Sequence, residues 1–359
     1  MPTLFSPLQL GSLEIPNRIL MAPLTRCRSE AGDVPGDLIA THYAQRASAG
    51  LLIAEATMAI ANNCAFMGAP GIHSEAQVHG WRKATDAVHS AGGRIYLQLW
   101  HGGRACHSLL NGGMQPVAPS PIAIEGGGIH TPEGPKPYET PRELRDDEIP
   151  GIIEGFRRAA ENAKRAGFDG VEVHGANGYL LDQFLRDGSN RRSGPYGGGV
   201  ENRSRLMMEV VDAVATVFGP GRVGLRISPL NGFNSMRDSD PVGLTNHLCH
   251  ALSSRGLSYL HVMRADFLGQ QQADVLGQAR RAFHGPLVAN MGFTPDEAAR
   301  AVESGSVDAV AFGTAFLANP DLPARIQAKV PLTTPDPSTF YTGGAKGYTD
   351  YPTLAATAR

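Results

Sequence analysis

The sequence predicts an α/β protein built as a (β/α)8 TIM barrel, and two observations lead to this fold class. Short apolar, β-branched runs alternate with longer segments of helical periodicity, which is typical of parallel strands joined by crossover helices. Eight such runs occur, and eight strands close a barrel of this kind. A chain of 359 residues is within the size range of one barrel, so we expect a single domain over residues 1–359.

The predicted strands are runs rich in Val, Ile, Leu and Ala. The first four end at Pro23, Glu55, Trp100 and His174, and the other four cover residues 223–227, 258–262, 286–290 and 308–313. Because the strands of a parallel barrel point the same way, their last residues meet at one mouth, where barrel enzymes hold their catalytic groups.

Two of the connecting helices have recognisable ends. The segment 152–166 carries Ile152, Phe156 and Ala163 on one apolar face and is followed by Gly167, a residue free to adopt positive φ. Another helix is predicted after Thr294, where a hydroxyl cap precedes a proline and two acids. Both helices are expected to pack on the barrel.

Two stretches break this alternation. Residues from about 102 to 140 are rich in Gly, Pro and Ser, and we interpret them as an excursion after the third strand that covers the mouth of the barrel. The tail after Asn319 is interpreted as a further irregular segment.

Composition narrows the classes of function. Hydrophobic residues make up 42% and charged residues 18%, with a net charge of −2 and no cationic stripe, so neither nucleic acid nor a membrane surface is an expected partner. The four cysteines lie far apart without metal-ligand spacing, which predicts free thiols. No cationic start precedes an apolar core and no run of about 18 apolar residues occurs, so we expect a cytoplasmic protein.

One constellation at a strand end stands out. In the segment HGANGY, His174 ends a predicted strand and is followed by Asn177 and Tyr179. His174 and Asn177 can both donate to one substrate oxygen, and Tyr179 can supply a proton. The alternative is a structural histidine beside a core tyrosine.

Three further polar residues lie at or near the ends of strands. Thr25, Gln98 and Arg226 offer a hydroxyl, an amide and a cation, as the polar edge of a flavin ring requires. For Thr25 and Gln98 the alternative is ordinary capping of a strand end. Arg226 lies in an apolar strand and needs a partner, which could equally be an acid such as Glu172.

Glycines follow the last two predicted strands. Gly292 and Gly313 occur where barrels often bind phosphate through backbone N–H groups. Alternatively, they only turn the chain. The scattered histidines show no spacing typical of metal ligands, so no metal site is predicted.

Taken together, these segments resemble the old yellow enzyme family, especially its bacterial ene reductases such as the pentaerythritol tetranitrate and N-ethylmaleimide reductases. The resemblance runs along essentially the whole chain. It includes NRILMAPLTR from Asn17, QLWHGGR from Gln98, AGFDGVEVHGANGYLLDQFL from Ala166 and GYTDYP from Gly347.

The resemblance implies an FMN-dependent ene reductase that uses NADPH or NADH to reduce activated alkenes, as a monomer or homodimer. His174 and Asn177 would anchor the substrate and Tyr179 would donate the proton. The residues implied to hold the FMN ring are Pro23, Leu24, Thr25, Ala56, Gln98 and Arg226. Those implied at its phosphate are Asn290, Met291, Gly292, Gly313 and Thr314, and those implied to shape the pocket are Trp100, Phe66 and Tyr341.

Two departures from the family pattern are visible. Thr314 occupies a position where many relatives place a basic residue that contacts the FMN phosphate, so a charge-assisted contact is lost there. Phe66 occupies a position where close relatives often carry tyrosine, which removes a hydroxyl from the pocket.

The sequence is also compatible with three other classes of protein. A flavin barrel that oxidises a hydroxy acid or dihydroorotate is disfavoured, because no paired arginines accompany His174. A metal-dependent barrel hydrolase would be colourless and contain zinc, whereas a flavoenzyme is yellow. A flavin-binding protein without catalysis would fail to oxidise NAD(P)H in the presence of 2-cyclohexenone.

Overall fold

Eight parallel strands close a barrel in a computed structural model that describes residues 1–357. This confirms the predicted (β/α)8 class. In chain order the strands are β1 (Leu8–Leu10), β2 (Leu13–Ile15), β3 (Ile19–Met21), β4 (Leu52–Met58), β5 (Ile95–Trp100), β6 (Val117–Ala118), β7 (Ile129–Thr131), β8 (Gly134–Lys136), β9 (Arg142–Glu143), β10 (Gly170–Gly175), β11 (Val223–Ile227), β12 (Tyr259–Met263), β13 (Leu287–Asn290) and β14 (Ala309–Phe312). The barrel consists of β3, β4, β5 and β10 to β14.

Helices separate most barrel strands. They are α1 (Asp37–Ala44), α2 (Glu75–Ser90), α3 (Ile149–Arg165), α4 (Leu180–Leu185), α5 (Val200–Phe218), α6 (Pro241–Ser253), α7 (Val275–Ala282), α8 (Pro295–Glu303), α9 (Thr314–Ala318), α10 (Leu322–Ala328) and α11 (Leu354–Thr357). Among residues 1–357, no helix is long and apolar enough to cross a membrane.

Local sequence signals explain where two of these helices begin and end. The hydroxyl of Thr294 accepts a hydrogen bond from the Glu297 amide and caps α8, as predicted. Helix α3 buries Phe156 and Ala163, and Gly167 follows it with a φ of +89°. The apolar face and the glycine stop therefore act as the sequence indicated.

Strand β4 differs from its prediction in a way that bears on the site. It continues past Glu55 to Met58, and its pairing with β5 shifts register between Ala54 and Thr57. Such bulges bend a strand and are frequent beside active sites. The irregularity includes Ala56, one of the residues implied to hold the FMN ring.

The N-terminal hairpin of β1 and β2 covers one end of the barrel. Leu10, Leu13 and Ile15 form an apolar cluster with Tyr96 and Tyr259, which lie near the starts of their strands. The hairpin thus occupies the N-terminal end of the barrel. The opposite end, where the strands finish, is left for a site.

The two stretches predicted as irregular differ from each other. Residues 102–148 contain the β7–β8 hairpin and only short strands and 3-10 turns. The tail after Asn319, however, is not irregular throughout, because α10 begins at Leu322, and Arg325 of this helix donates to Asp321. This helix was missed because its seven residues are too few to show a clear helical period.

Candidate active site

The register of the barrel places His174 beside two other polar side chains. His174 of β10 pairs with Arg226 of β11, which pairs in turn with His261 of β12. All three side chains are buried, and the Nδ1 atom of His174 has no hydrogen-bond partner among the described residues. Burial and the positive charge of Arg226 lower the pKa of His174 well below its usual range, so the imidazole is neutral at pH 7.

Asn177 follows in a loop that neighbouring residues hold tightly. Its φ of +59° is tolerated by asparagine better than by most side chains. Its backbone N–H donates to Ser228 Oγ at 2.7 Å, and its side-chain oxygen accepts from Asn231 Nδ2 at 2.8 Å. With that oxygen engaged, the Asn177 amide group presents its NH2 as a donor.

Asn231 and Asn234 were not singled out from the sequence. Asn234 Nδ2 donates to the backbone oxygen of Asn177 at 2.9 Å. Both asparagines lie in the loop after β11, and the signal that could have found them is a pair of amides following a predicted strand end.

Tyr179 immediately precedes α4 and is 7% exposed. Its ring meets Trp100 edge to face at 5.2 Å and lies 5.2 Å from the ring of His174. Burial raises the pKa of its hydroxyl, which therefore stays protonated at neutral pH. We call His174, Asn177 and Tyr179 the β10 cluster.

A buried polar network lies next to this cluster in the barrel. Glu172 accepts from Gln98 Nε2 and from His261 Nδ1, each at 2.8 Å. Arg226 instead donates to Asn290 Oδ1 at 3.0 Å. The acid suggested as the partner of Arg226 is therefore hydrogen-bonded to two other side chains, and within residues 1–357 it interacts with Arg226 only through its charge.

A cavity of about 1360 Å³ opens at this end of the barrel. Among the predicted site residues, Tyr179, Phe66 and Tyr341 line it, together with Ile124 and Phe233. Segment 122–130 contributes a long part of the wall. Trp100, His174 and Asn177 do not line the cavity. The rings of Trp100 and His174 lie beside that of Tyr179, and Asn177 lies in the same loop as Tyr179.

The C-terminal segment reaches the cavity because two buried arginines fix it. Arg26 donates to the backbone oxygens of Phe340 and Gly347, and Arg28 donates to those of Thr339 and Phe340. Tyr341 consequently stacks on Phe66, with ring centres 6.0 Å apart.

A second group of predicted residues lies at the ends of β13 and β14. We call residues 290–292 and 313–314 the β13–β14 loops. Met291 and Gly292 both have positive φ, Gly313 lies against Leu24, and a Cβ added at Gly292 would meet nothing within 4 Å. The backbone N–H groups of Met291, Gly292 and Gly313 donate to no acceptor within residues 1–357. Open space and free donors of this kind suit an anion.

The donors of this end of the barrel fit a flavin. The half-buried Thr25 hydroxyl forms no side-chain hydrogen bond in the described part of the chain, and Trp100 Nε1 and Arg226 Nε are buried without partners. Ala56 packs in one apolar cluster with Trp100 and Tyr179, and Pro23 is buried just after β3. Within residues 1–357, no group of three potential ligands could hold a metal ion.

Comparison with known proteins gives full-length matches. The profile of the NADH:flavin oxidoreductase / NADH oxidase family matches residues 3–333. A probable flavin mononucleotide-dependent alkene reductase of Leishmania infantum is 49% identical over 97% of this chain and 97% of its own length, and 12-oxophytodienoate reductase 1 of Oryza sativa subsp. japonica is 44% identical over 98% and 93%.

Solved structures agree with these sequence matches. Morphinone reductase in complex with tetrahydroNAD is 48% identical and superposes with a TM-score of 0.94 over 99% of this chain and 98% of that one. The old yellow enzyme from Trypanosoma cruzi is 45% identical, with a TM-score of 0.96 over 98% and 99%.

Proposed function

Since the chain belongs to the NADH:flavin oxidoreductase / NADH oxidase family, we propose that it reduces the C=C bond of alkenes activated by a carbonyl, imide or nitro group. It is an FMN-dependent oxidoreductase of the old yellow enzyme type that uses a nicotinamide nucleotide as reductant. The observation that carries the proposal is the convergence of a neutral imidazole, an amide donor and a protonated phenol in the β10 cluster.

The residues that would hold FMN offer the donors that its polar edge needs. Thr25, Gln98 and Arg226 would contact the ring with backbone groups around Pro23 and Leu24, beside Ala56. The β13–β14 loops, with Asn290, Met291, Gly292, Gly313 and Thr314, would hold the phosphate. When bound, FMN supplies hydride transfer between the nicotinamide and the alkene.

His174 and Asn177 would anchor the activating group of the alkene. A neutral His174 with an unpartnered Nδ1 can donate without bringing a charge into the buried site. The Asn177 NH2 is directed by Asn231, which occupies the amide oxygen. Two donors on one oxygen stabilise the negative charge that develops there during reduction.

Tyr179 would protonate the α-carbon. Its hydroxyl belongs to a residue that lines the cavity and whose ring is fixed between Trp100 and His174. Because its pKa is raised, it holds its proton until a developing carbanion takes it.

The cavity supports a broad range of alkenes. Its volume of about 1360 Å³ exceeds the need of a small cyclic enone, and Phe66, Tyr341 and Ile124 offer apolar surface to a larger substrate. We also propose that nicotinamide and alkene occupy this cavity in turn, which predicts ping-pong kinetics. The choice between NADH and NADPH, a cytoplasmic location and a monomeric or homodimeric state stay predictions.

An anaerobic assay tests the function. The purified protein should be yellow and release FMN on denaturation; NADH or NADPH should bleach it, and 2-cyclohexenone, a maleimide or a nitroalkene should restore the colour. The saturated ketone should form in equal amount to the nucleotide oxidised. Bleaching by nucleotide without recovery by any of the alkenes would contradict the proposal.

A further inference from the structure

The loop after β13 is held in an unusual backbone conformation. Met291 has a φ of +93° and Gly292 a φ of +69°. A positive φ costs a non-glycine residue free energy, so the surrounding structure must stabilise Met291. The same loop carries the free N–H groups of Met291 and Gly292 described above.

Arg264, the first residue after β12, makes the contacts that hold this loop. Its Nε donates to the backbone oxygen of Met291 at 2.9 Å, and its Nη2 donates to that of Gly292 at 3.2 Å. Its own backbone N–H donates to the oxygen of Asn290 at 3.2 Å. One residue thus binds three consecutive carbonyl groups, which fixes the peptide planes of the loop.

The Arg264 side chain also makes contacts outside this loop. Its guanidinium forms a two-pronged ion pair with Glu297 of α8, with Nη2 3.0 Å from Oε2, and lies 3.7 Å above the ring of Phe293. The pKa of Glu297 is lowered, first of all by these hydrogen bonds. The charge of Arg264 is therefore paired with Glu297, and its hydrogen bonds to the loop are the contacts through which we expect it to affect a ligand.

We propose that Arg264 is a positioning residue for the FMN phosphate. By binding the carbonyl groups of Met291 and Gly292, it holds the loop in the one conformation that leaves their N–H groups free for phosphate oxygens. This bracing matters more in this chain because Thr314 supplies no positive charge to the phosphate. The inference rests on the proposed FMN site and adds a residue that does not itself touch the cofactor.

The test compares two flavins that differ only in the phosphate. FMN and riboflavin are titrated separately into deflavinated full-length protein, and quenching of flavin fluorescence gives each dissociation constant. Arg264→Gln should weaken FMN binding about tenfold, as expected for one to two lost hydrogen bonds. Riboflavin binding should change by less than about twofold, because the contacts to the ring stay intact.

A matched control is Arg280→Gln. Arg280 of α7 is similarly exposed, binds the backbone carbonyl groups of Phe283 and Gly285 and pairs with Asp308, which lies just before β14 and away from the strand ends that form the proposed phosphate site. Both flavins should bind this variant as they bind the wild type. Arg264→Lys provides a milder second variant that keeps the charge but not the forked geometry, and should also lower the preference for FMN.

The outcomes separate this inference from the proposed function. A wild-type protein that binds neither flavin contradicts the function itself, and one that binds both equally contradicts the phosphate site and the inference with it. If the wild type prefers FMN and both Arg264 variants keep the same ratio of FMN to riboflavin affinity, only the positioning role is wrong. An equal loss for both flavins with Arg264→Gln and Arg264→Lys also overturns it, since it would indicate a general destabilisation.

Discussion

The β10 cluster and the β13–β14 loops lie at the same end of the barrel, but the cluster uses side chains as hydrogen-bond donors and the loops use backbone N–H groups. In the cluster, the donors are side chains, and burial sets the properties of two of them: the pKa of His174 is lowered and that of Tyr179 is raised. In the loops, backbone N–H groups carry the donors, and Thr314 is exposed.

This difference predicts how each region responds to substitution. In the proposed reaction, a single side chain of the cluster performs a step that no neighbour replaces, whereas a backbone donor persists whatever the side chain is. We therefore expect large effects on the reaction from the cluster and small effects on affinity from the exposed positions of the loops.

Tyr179→Phe should give the largest effect. It removes the proposed proton donor and preserves the ring that packs on Trp100, so reduction of 2-cyclohexenone should slow by about 10²- to 10⁴-fold. Stopped-flow measurement of the reaction with the alkene tests this, and nitroalkenes, whose anions are stable without immediate protonation, should be affected much less.

Tyr138→Phe is the control for Tyr179, because Tyr138 also lines the cavity and loses only its hydroxyl. This variant should keep the wild-type rate. An unchanged enone rate in Tyr179→Phe would remove Tyr179 from the mechanism and weaken the contrast between the two regions.

His174→Ala and Asn177→Ala should each weaken the binding of a phenolic ligand by about 1 to 3 kcal/mol, or about 5- to 150-fold, because a polar contact at a buried oxygen is lost. Spectral titration with the phenol measures this. His130→Ala, at an exposed residue of the cavity wall, is the control. If a variant that combines both substitutions binds the phenol as tightly as the wild type, these residues are not the anchors.

Thr314→Arg should tighten FMN binding about two- to fivefold, since an exposed ion pair contributes little in water. Titration of deflavinated protein measures the effect, and Thr216→Arg, an exposed position at the end of α5, adds the same charge away from the site. If FMN affinity stays the same or falls, the backbone donors already satisfy the phosphate. The contrast between backbone donors in the loops and side-chain donors in the β10 cluster would then be stronger.

A change of pH should have the smallest effect on anchoring. The pKa of His174 lies well below 6.5, so the imidazole stays neutral and gains its proton only at a pH well below that value. The KM for 2-cyclohexenone should therefore stay constant between about pH 6 and 8. A KM that varies across this range in the wild type and not in His174→Ala would show that the histidine titrates there.

Much of the fold could be predicted because its signals are local. Strand β11 was predicted to the residue, and the cap at Thr294 and the stop at Gly167 were recognised from neighbouring residues alone. The same patterns placed His174, Asn177 and Tyr179 together at the end of one strand. Their roles, and those of the FMN contacts, stay predictions from resemblance.

Only the tertiary structure decided how these residues are supported. Asn231 lies 54 positions after Asn177, and Arg26 holds a backbone oxygen 314 positions away, so no local pattern relates them. Glu172 could have paired with Arg226, but the barrel register brings Gln98 and His261 within hydrogen-bonding distance of it. The sequence by itself determined which segments become the eight barrel strands and which polar residues lie at or near their ends, since both follow from short-range periodicity and backbone preference. Closure of the barrel determined the hydrogen-bond partners, because it decides which distant side chains are buried next to each other. Buried polar groups must then form hydrogen bonds with these neighbours.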